Sequence, residues 1–185
     1  MAHDQRSSKT TINLSVDTNV LGVIRKEAEQ KGVSVNSRIN TILTDYTMFY
    51  KRAEEFESVT FPKEYFEMAL EYIDEKKLEE YFDTLLSGLI KTVLMDFGVS
   101  INLENTIRYF LQAVAVKSNG YNSVTHYVDE NDHDCIILRH SWNIKWSRVA
   151  CCTLAKHIGN LLHCHYECEP LPKSIIIRIL ERLIR

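Results

Sequence analysis

Proline is scarce in this chain. The three prolines among 185 residues stand at 62, 170 and 172, so most of the chain can form helix without interruption. The six glycines never gather into a phosphate-cradling loop, and no nucleophile–base pair or paired-acid motif stands out, so an enzyme is not expected. No apolar run approaches the length that spans a bilayer, and residues 1–9 lack a signal-peptide pattern, so the expectation is a cytoplasmic protein with no membrane partner. The five cysteines include no CxxC pair; in an intracellular chain they read as reduced thiols. No strongly basic composition marks a nucleic-acid binder, since the net charge is -3. Internal repeats and low-complexity segments are also missing.

The charge is divided unevenly, however. Residues 1–52 hold eight Lys/Arg against five Asp/Glu, whereas residues 53–185 hold fourteen against twenty. A basic head on an acidic body fits a polyanion partner for the head alone. Within that head, residues 9–50 read KTTINLSVDTNVLGVIRKEAEQKGVSVNSRINTILTDYTMFY. Ile12 and Leu14 alternate on one face of a short strand, in phase with Thr10 and Val16. Lys9, Thr11, Asn13 and Ser15 fall on the other. Asp17 is a good N-cap for a first helix, with Val20, Leu21, Ile24 and Ala28 as its apolar face and Gly32 as its stop. Ser34 caps a second helix, with Ile39, Ile42, Leu43 and Tyr46 as its stripe. So short a segment buries too little for an independent core. Two chains sharing one core, with the strands paired across the symmetry axis, resolve that difficulty. A two-stranded ribbon of this kind fits the DNA major groove.

On TINLS, the Gly32-Val33-Ser34 turn and the two helical stripes, the segment resembles the ribbon-helix-helix family of DNA-binding domains, of the Arc, MetJ and CopG type. The resemblance covers about a quarter of the chain. It implies a homodimer on double-stranded DNA in which Lys9, Thr11 and Asn13 read bases. Ser34, Val35 and Asn36 would present backbone amides to phosphate. Members often carry Arg or Lys at more than one strand position; here only Lys9 is basic, so the preferred DNA sequence stays open.

The remainder reads as a second domain over 58–185, joined to the head (1–52) by the charged stretch KRAEEFES. Pro62 opens a helix in PKEYFEMALEYI, a longer one follows in DEKKLEEYFDTLLSGLIKTVLM, and Gly98 ends it. Asn102 or Asn105 then caps a helix bearing Ile107, Phe110, Leu111 and Val114. After Gly120 the period becomes alternating. Val124, His126 and Val128 share one face of a hairpin strand, and Ile136, Leu138 and His140 share one face of its partner. A helix over 144–161 carries Val149, Leu154, Ile158 and Leu161, and the strands LHCHYEC and SIIIRIL close the chain. The fold class expected is α+β: a dimeric ribbon-helix-helix, a helical segment, then a β-β-α-β-β domain with a mainly antiparallel four-stranded sheet. That order, through CIILRHSWNIKWS and RVACCTLAKHIGNLL, resembles in topology the heme-nitric-oxide-binding and 4-vinyl-reductase-like sensor domains. The heme-binding members use a His on an early helix and a Tyr-x-Ser-x-Arg motif. This chain has no His between His3 and His126 and lacks the motif, so heme binding of that kind is not expected.

Two clusters in the body are candidates for an effector. In HCHYEC, strand alternation would place His163 and His165 on one face, as ligands for Zn, Ni or Cu. In RHSWNIKWS, Arg139, Trp142, Lys145 and Trp146 would wall a pocket for a small anionic or aromatic ligand at a helix start. The expected whole is a sequence-specific DNA-binding regulator, dimeric or tetrameric if the body adds an interface, with a C-terminal sensing domain. The alternatives are an antitoxin-like protein whose C-terminal region binds a partner protein, and a metal- or small-molecule-binding protein that the head merely dimerises.

Overall fold

The computed structural model describes residues 10–55 and 62–182. Lys9, the first expected base-reading residue, therefore lies outside the described residues, as does part of the expected linker. The chain divides into two compact units, one ending at Tyr46 and the other beginning at Thr47.

The first unit contains helices α1 (Thr18–Gln30) and α2 (Val35–Asp45). Asp17 caps α1 by accepting from the amides of Asn19 and Val20, at 2.8 and 3.3 Å. The helix ends in a Schellman arrangement. Gly32 takes φ +63°, its amide donates to Glu29 O, and the Val33 amide donates to Ala28 O. The two helices are pinned by Arg38, whose Nε lies 2.7 Å from a Glu27 carboxylate oxygen. Residues 10–16, expected as a strand, form none in this single chain. A strand is stabilised by hydrogen bonds to a neighbour, and one copy of this segment supplies no neighbour. The apolar stripes are correspondingly uncovered. Ala28 is buried, while Ile12 is 61 % and Leu14 55 % exposed, and Val20, Ile42, Leu43 and Tyr46 are exposed as well.

The second unit is a mixed helix-and-sheet structure. After a π-helical stretch (Tyr46–Tyr50) come the short helix α3 (Lys51–Glu55) and then α4 (Lys63–Tyr72), with Pro62 just ahead of the first turn of α4. Next come α5 (Glu75–Leu86), capped by Asp74, and α6 (Leu89–Asp96). The sequence suggested one helix through this region. Instead Ser87 leaves the helical conformation and Gly88 turns left-handed at φ +82°, which lets α6 leave α5 in a new direction. Asn102 caps α7 (Leu103–Asn105), which runs into a wide-turned π-helical segment, Thr106–Ala115, burying Ile107, Phe110 and Leu111. The hairpin β1 (Ser123–Val128) and β2 (Asp134–Arg139) follows. Helix α8 (Ile144–Ala150), a π-helical segment (Cys151–Ala155) and α9 (Lys156–Leu162) then run in succession to β3 (Cys164–Leu171) and β4 (Ser174–Arg182).

The sheet order is β1-β2-β4-β3, and every neighbouring pair is antiparallel. Ile136 and Leu138 of β2 and Ile175, Ile177 and Ile179 of β4 are buried in the core with Val149, Leu154 and Ile158. Strand β1 lies at the sheet edge. His126 and Val128, expected to share a face with Val124, are exposed there, and His126 Nε2 meets Asp134 at 2.8 Å. Gly159 allows α9 to approach β3 closely, because a β-carbon at that position would collide with the Tyr166 ring. The expectation of uniformly reduced cysteines does not hold. Cys151 and Cys168 form a disulfide between the helical segment and β3, while Cys135, Cys152 and Cys164 stay outside any disulfide. Residue spacing gives no sign that 151 and 168 meet, since only the packing of the helix on the sheet brings them together.

Candidate functional site

Of the residues expected to face DNA, Thr11 and Asn13 are exposed on the segment preceding α1. Ser34 caps α2, its hydroxyl accepting from the Ser37 amide at 3.1 Å. Val35 and Asn36 are the first two residues of α2, where amides have no partner within the helix. That geometry suits an anion. Arg38, by contrast, is engaged with Glu27 and belongs to the helix–helix contact.

The histidine pair in the second unit does not form as the sequence suggested. His163 is not in a strand. It ends α9 in the left-handed conformation at φ +50°, and β3 starts one residue later. The β3–β4 ladder is also irregular between His165 and Tyr166. Strand alternation therefore does not bring His163 and His165 to one face. Other histidines are paired with carboxylates: His157 Nε2 lies 3.0 Å from Asp83 and His133 Nδ1 lies 3.6 Å from Asp129. Among the described residues no cluster of three or more His, Cys, Asp or Glu is arranged to hold a metal ion.

The RHSWNIKWS cluster also disperses. The Arg139 side chain is exposed, with Nη1 3.5 Å from Thr125 Oγ1. The Lys145 ammonium reaches across to the end of α4 and donates to the carbonyls of Leu70, Glu71 and Ile73. It satisfies helix-end acceptors that would otherwise be unpaired. Asn143 caps α8, accepting from the Trp146 amide, so that helix start is already closed. Trp142 is buried with its indole N–H bonded to Gly120 O at 3.0 Å, its ring edge-on to Phe66. The sequence placed these four residues around one pocket, but two turn out to anchor elements and one lies on the surface.

Trp146 has a different setting. It packs edge-on to Phe66 and Phe82 and lines a cavity of about 150 Å³ with Phe110, Tyr121, Val149 and Leu154. Its indole N–H is buried and finds no acceptor among the described residues. Burial pushes the Tyr121 phenol strongly up, which keeps that side chain neutral. Sequence periodicity marked Phe110, Val149 and Leu154 only as core. The one local hint of a site was the tryptophan.

Beside this cavity lies a buried His140–Ser147 pair, with Nε2 and Oγ 2.8 Å apart. It does not have the polarity of a nucleophile and its base. The Ser147 hydroxyl donates to Leu171 O, so His140 Nε2 must be the donor to Ser147. Burial, with help from the Lys173 ammonium, pushes the imidazole down to about 4. The pair ties the end of β2 to α8 and to the β3–β4 turn.

Comparison of the chain with protein families, with curated proteins and with solved structures finds no match in any of the three.

Proposed function

We propose that this protein is a sequence-specific DNA-binding regulator that acts as a homodimer through its first unit, with the second unit as an effector-sensing body. One observation carries the reading. The first unit leaves Ile12, Leu14, Val20, Ile42 and Leu43 exposed on a segment that already has well-capped helices. Capped helices with an uncovered apolar face call for a partner surface of the same kind, and a second copy offers one. Pairing residues 10–16 across a two-fold axis would bury Ile12 and Leu14 and turn Thr11 and Asn13 outward. The open amides at the two α2 starts would then flank the ribbon and receive phosphates.

The test uses the full chain. Sedimentation should show a dimer at micromolar concentration, and selection from a random duplex pool should enrich a two-fold-related site. Replacing Thr11 and Asn13 by Ala should weaken binding to that site by about 1–3 kcal/mol per lost base contact and leave the dimer intact. A monomer, or equal losses on selected and scrambled duplexes, would remove the basis of the reading.

A further inference from the structure

We propose that β1 forms a second contact between the two copies of the homodimer: the free edges of their β1 strands pair antiparallel across a two-fold axis and join two four-stranded sheets into one. The inference rests on the homodimer reading only for the tether that brings the two bodies together. The free edge comes first. β1 ends the sheet on one side and is paired with β2 alone. The bond from the Asp129 amide to His133 O, at 3.0 Å, continues the β1–β2 register and fixes its phase. Thr125 and Tyr127 therefore direct their backbone groups to β2, and Val124, His126 and Val128 turn theirs away from the sheet. Among the described residues, no backbone bond meets these three on that outer side. A row of open amides and carbonyls is a template for another strand.

The two edges of the sheet are built differently. β3, the other edge, carries Glu167 and Glu169, includes Pro170, which has no amide to donate, and shifts register between His165 and Tyr166. Such features keep an edge from pairing. β1 has none of them. Its sequence SVTHYV contains no Pro, Gly, Lys, Arg, Asp or Glu, and its register runs unbroken from Ser123 to Val128. Thr125, His126, Tyr127 and Val128 are nonetheless exposed. The contrast also selects the partner. A two-fold antiparallel pair sets a strand against its own sequence, so an acidic edge would oppose like charges, whereas β1 brings no carboxylate or ammonium to the pairing. Pairing β1 with the β3 edge of the next copy would run on without closing, and β3 resists it. A β1–β1 pair closes at two copies, because the outer edges that remain are both β3. Two bodies held by one head dimer meet at an effective concentration on the order of millimolar, enough for a strand contact that is weak by itself.

The test uses the full-length protein without DNA. Amide-resolved hydrogen exchange should find Val124, His126 and Val128 as well protected as Thr125 and Tyr127. Mixing copies that carry different isotope labels should give nuclear Overhauser contacts between the β1 strands of the two copies. His126→Pro deletes an outward amide and leaves the bonds to β2 in place, and Thr125→Lys puts a charge on the edge. In each variant the contacts between copies should disappear and Val124 and Val128 should lose their protection, while Tyr127 keeps its own, the sign of a folded body. If the proline variant fails to fold, the lysine variant decides. Outward amides that exchange freely in a chain that sediments as a dimer would overturn the proposal and leave the DNA reading untouched. Protection without contacts between copies would assign the edge to a different occupant and overturn it as well. Contacts between β1 strands in a chain that selects no DNA would support the edge pair and sink the regulator.

Discussion

His140 should make the folded protein sensitive to mild acid, and the size of the effect follows from its surroundings. The imidazole is 3 % exposed, donates through Nε2 to Ser147, and is held down to about 4. In the unfolded chain it titrates near its ordinary 6.5. Below about pH 6.5 the unfolded chain therefore takes up a proton that the folded chain refuses. The stability gained by keeping His140 neutral is complete above that pH, declines as pH falls, and is gone once pH passes about 4. The gap corresponds to about 3 kcal/mol, with most of it lost by pH 4.5. Protonation would also place a second N–H on Nδ1, a buried atom with no partner among the described residues. The assay is urea unfolding at fixed protein concentration between pH 7.5 and 4.5, for the native chain and for His140→Gln. The glutamine amide can still donate toward Ser147 but does not titrate. Glu75 and Asp129, whose carboxyls are held low by Arg148 and by the His133 amide respectively, also lose stability in acid, but equally in both proteins. The native chain should fall about 2–3 kcal/mol further than the variant by pH 4.5. Parallel curves would refute the assignment of a neutral, buried imidazole.

Ile12→Asp should convert the dimer to monomer in sedimentation and abolish DNA selection, because the proposed shared core would have to bury an unpaired charge. Reducing the Cys151–Cys168 disulfide, which spans 17 positions, should lower unfolding free energy by about 3 kcal/mol, read by denaturation with and without dithiothreitol. Gly159→Ala should destabilise the second unit by about 1–3 kcal/mol, since the Tyr166 ring must move to admit the β-carbon; an unchanged Tm would contradict that packing. Titration with Zn, Ni or Cu should show no site that depends on His163 and His165 and is tighter than about micromolar, because the two residues do not share a strand face. A tight site lost on replacing both by Ala would contradict this.

Local chemistry settled by nearest neighbours could be read from the sequence alone. Asp17 and Ser34 cap helices because a short oxygen-bearing side chain at that position reaches amides two or three residues away, and of the two candidates Asn102 and Asn105 the structure selects Asn102. Gly32 and Gly98 end helices because each adopts a left-handed φ at no steric cost. The change from helical to alternating period after Gly120 located the hairpin, and the isoleucine run of β4 marked a strand, whose place inside the sheet came only with the fold. These signals span a few residues, so sequence carries them whole. What involved distant segments was not legible. Lys145 looked like an anion ligand until the carbonyls closing α4 came within its reach, some seventy residues away in the chain. His163 looked like a strand residue because the alternation around it is regular, yet the helix before it ends on that residue and takes it out of the sheet. Cys151 meets Cys168, and Trp146 meets a void between α5, α8 and the 106–115 segment, only once helices pack on the sheet. In the first unit the same physics works in reverse. The alternation of residues 10–16 predicts a strand, but a strand is held by hydrogen bonds to a neighbour, and the segment forms no strand in the single chain.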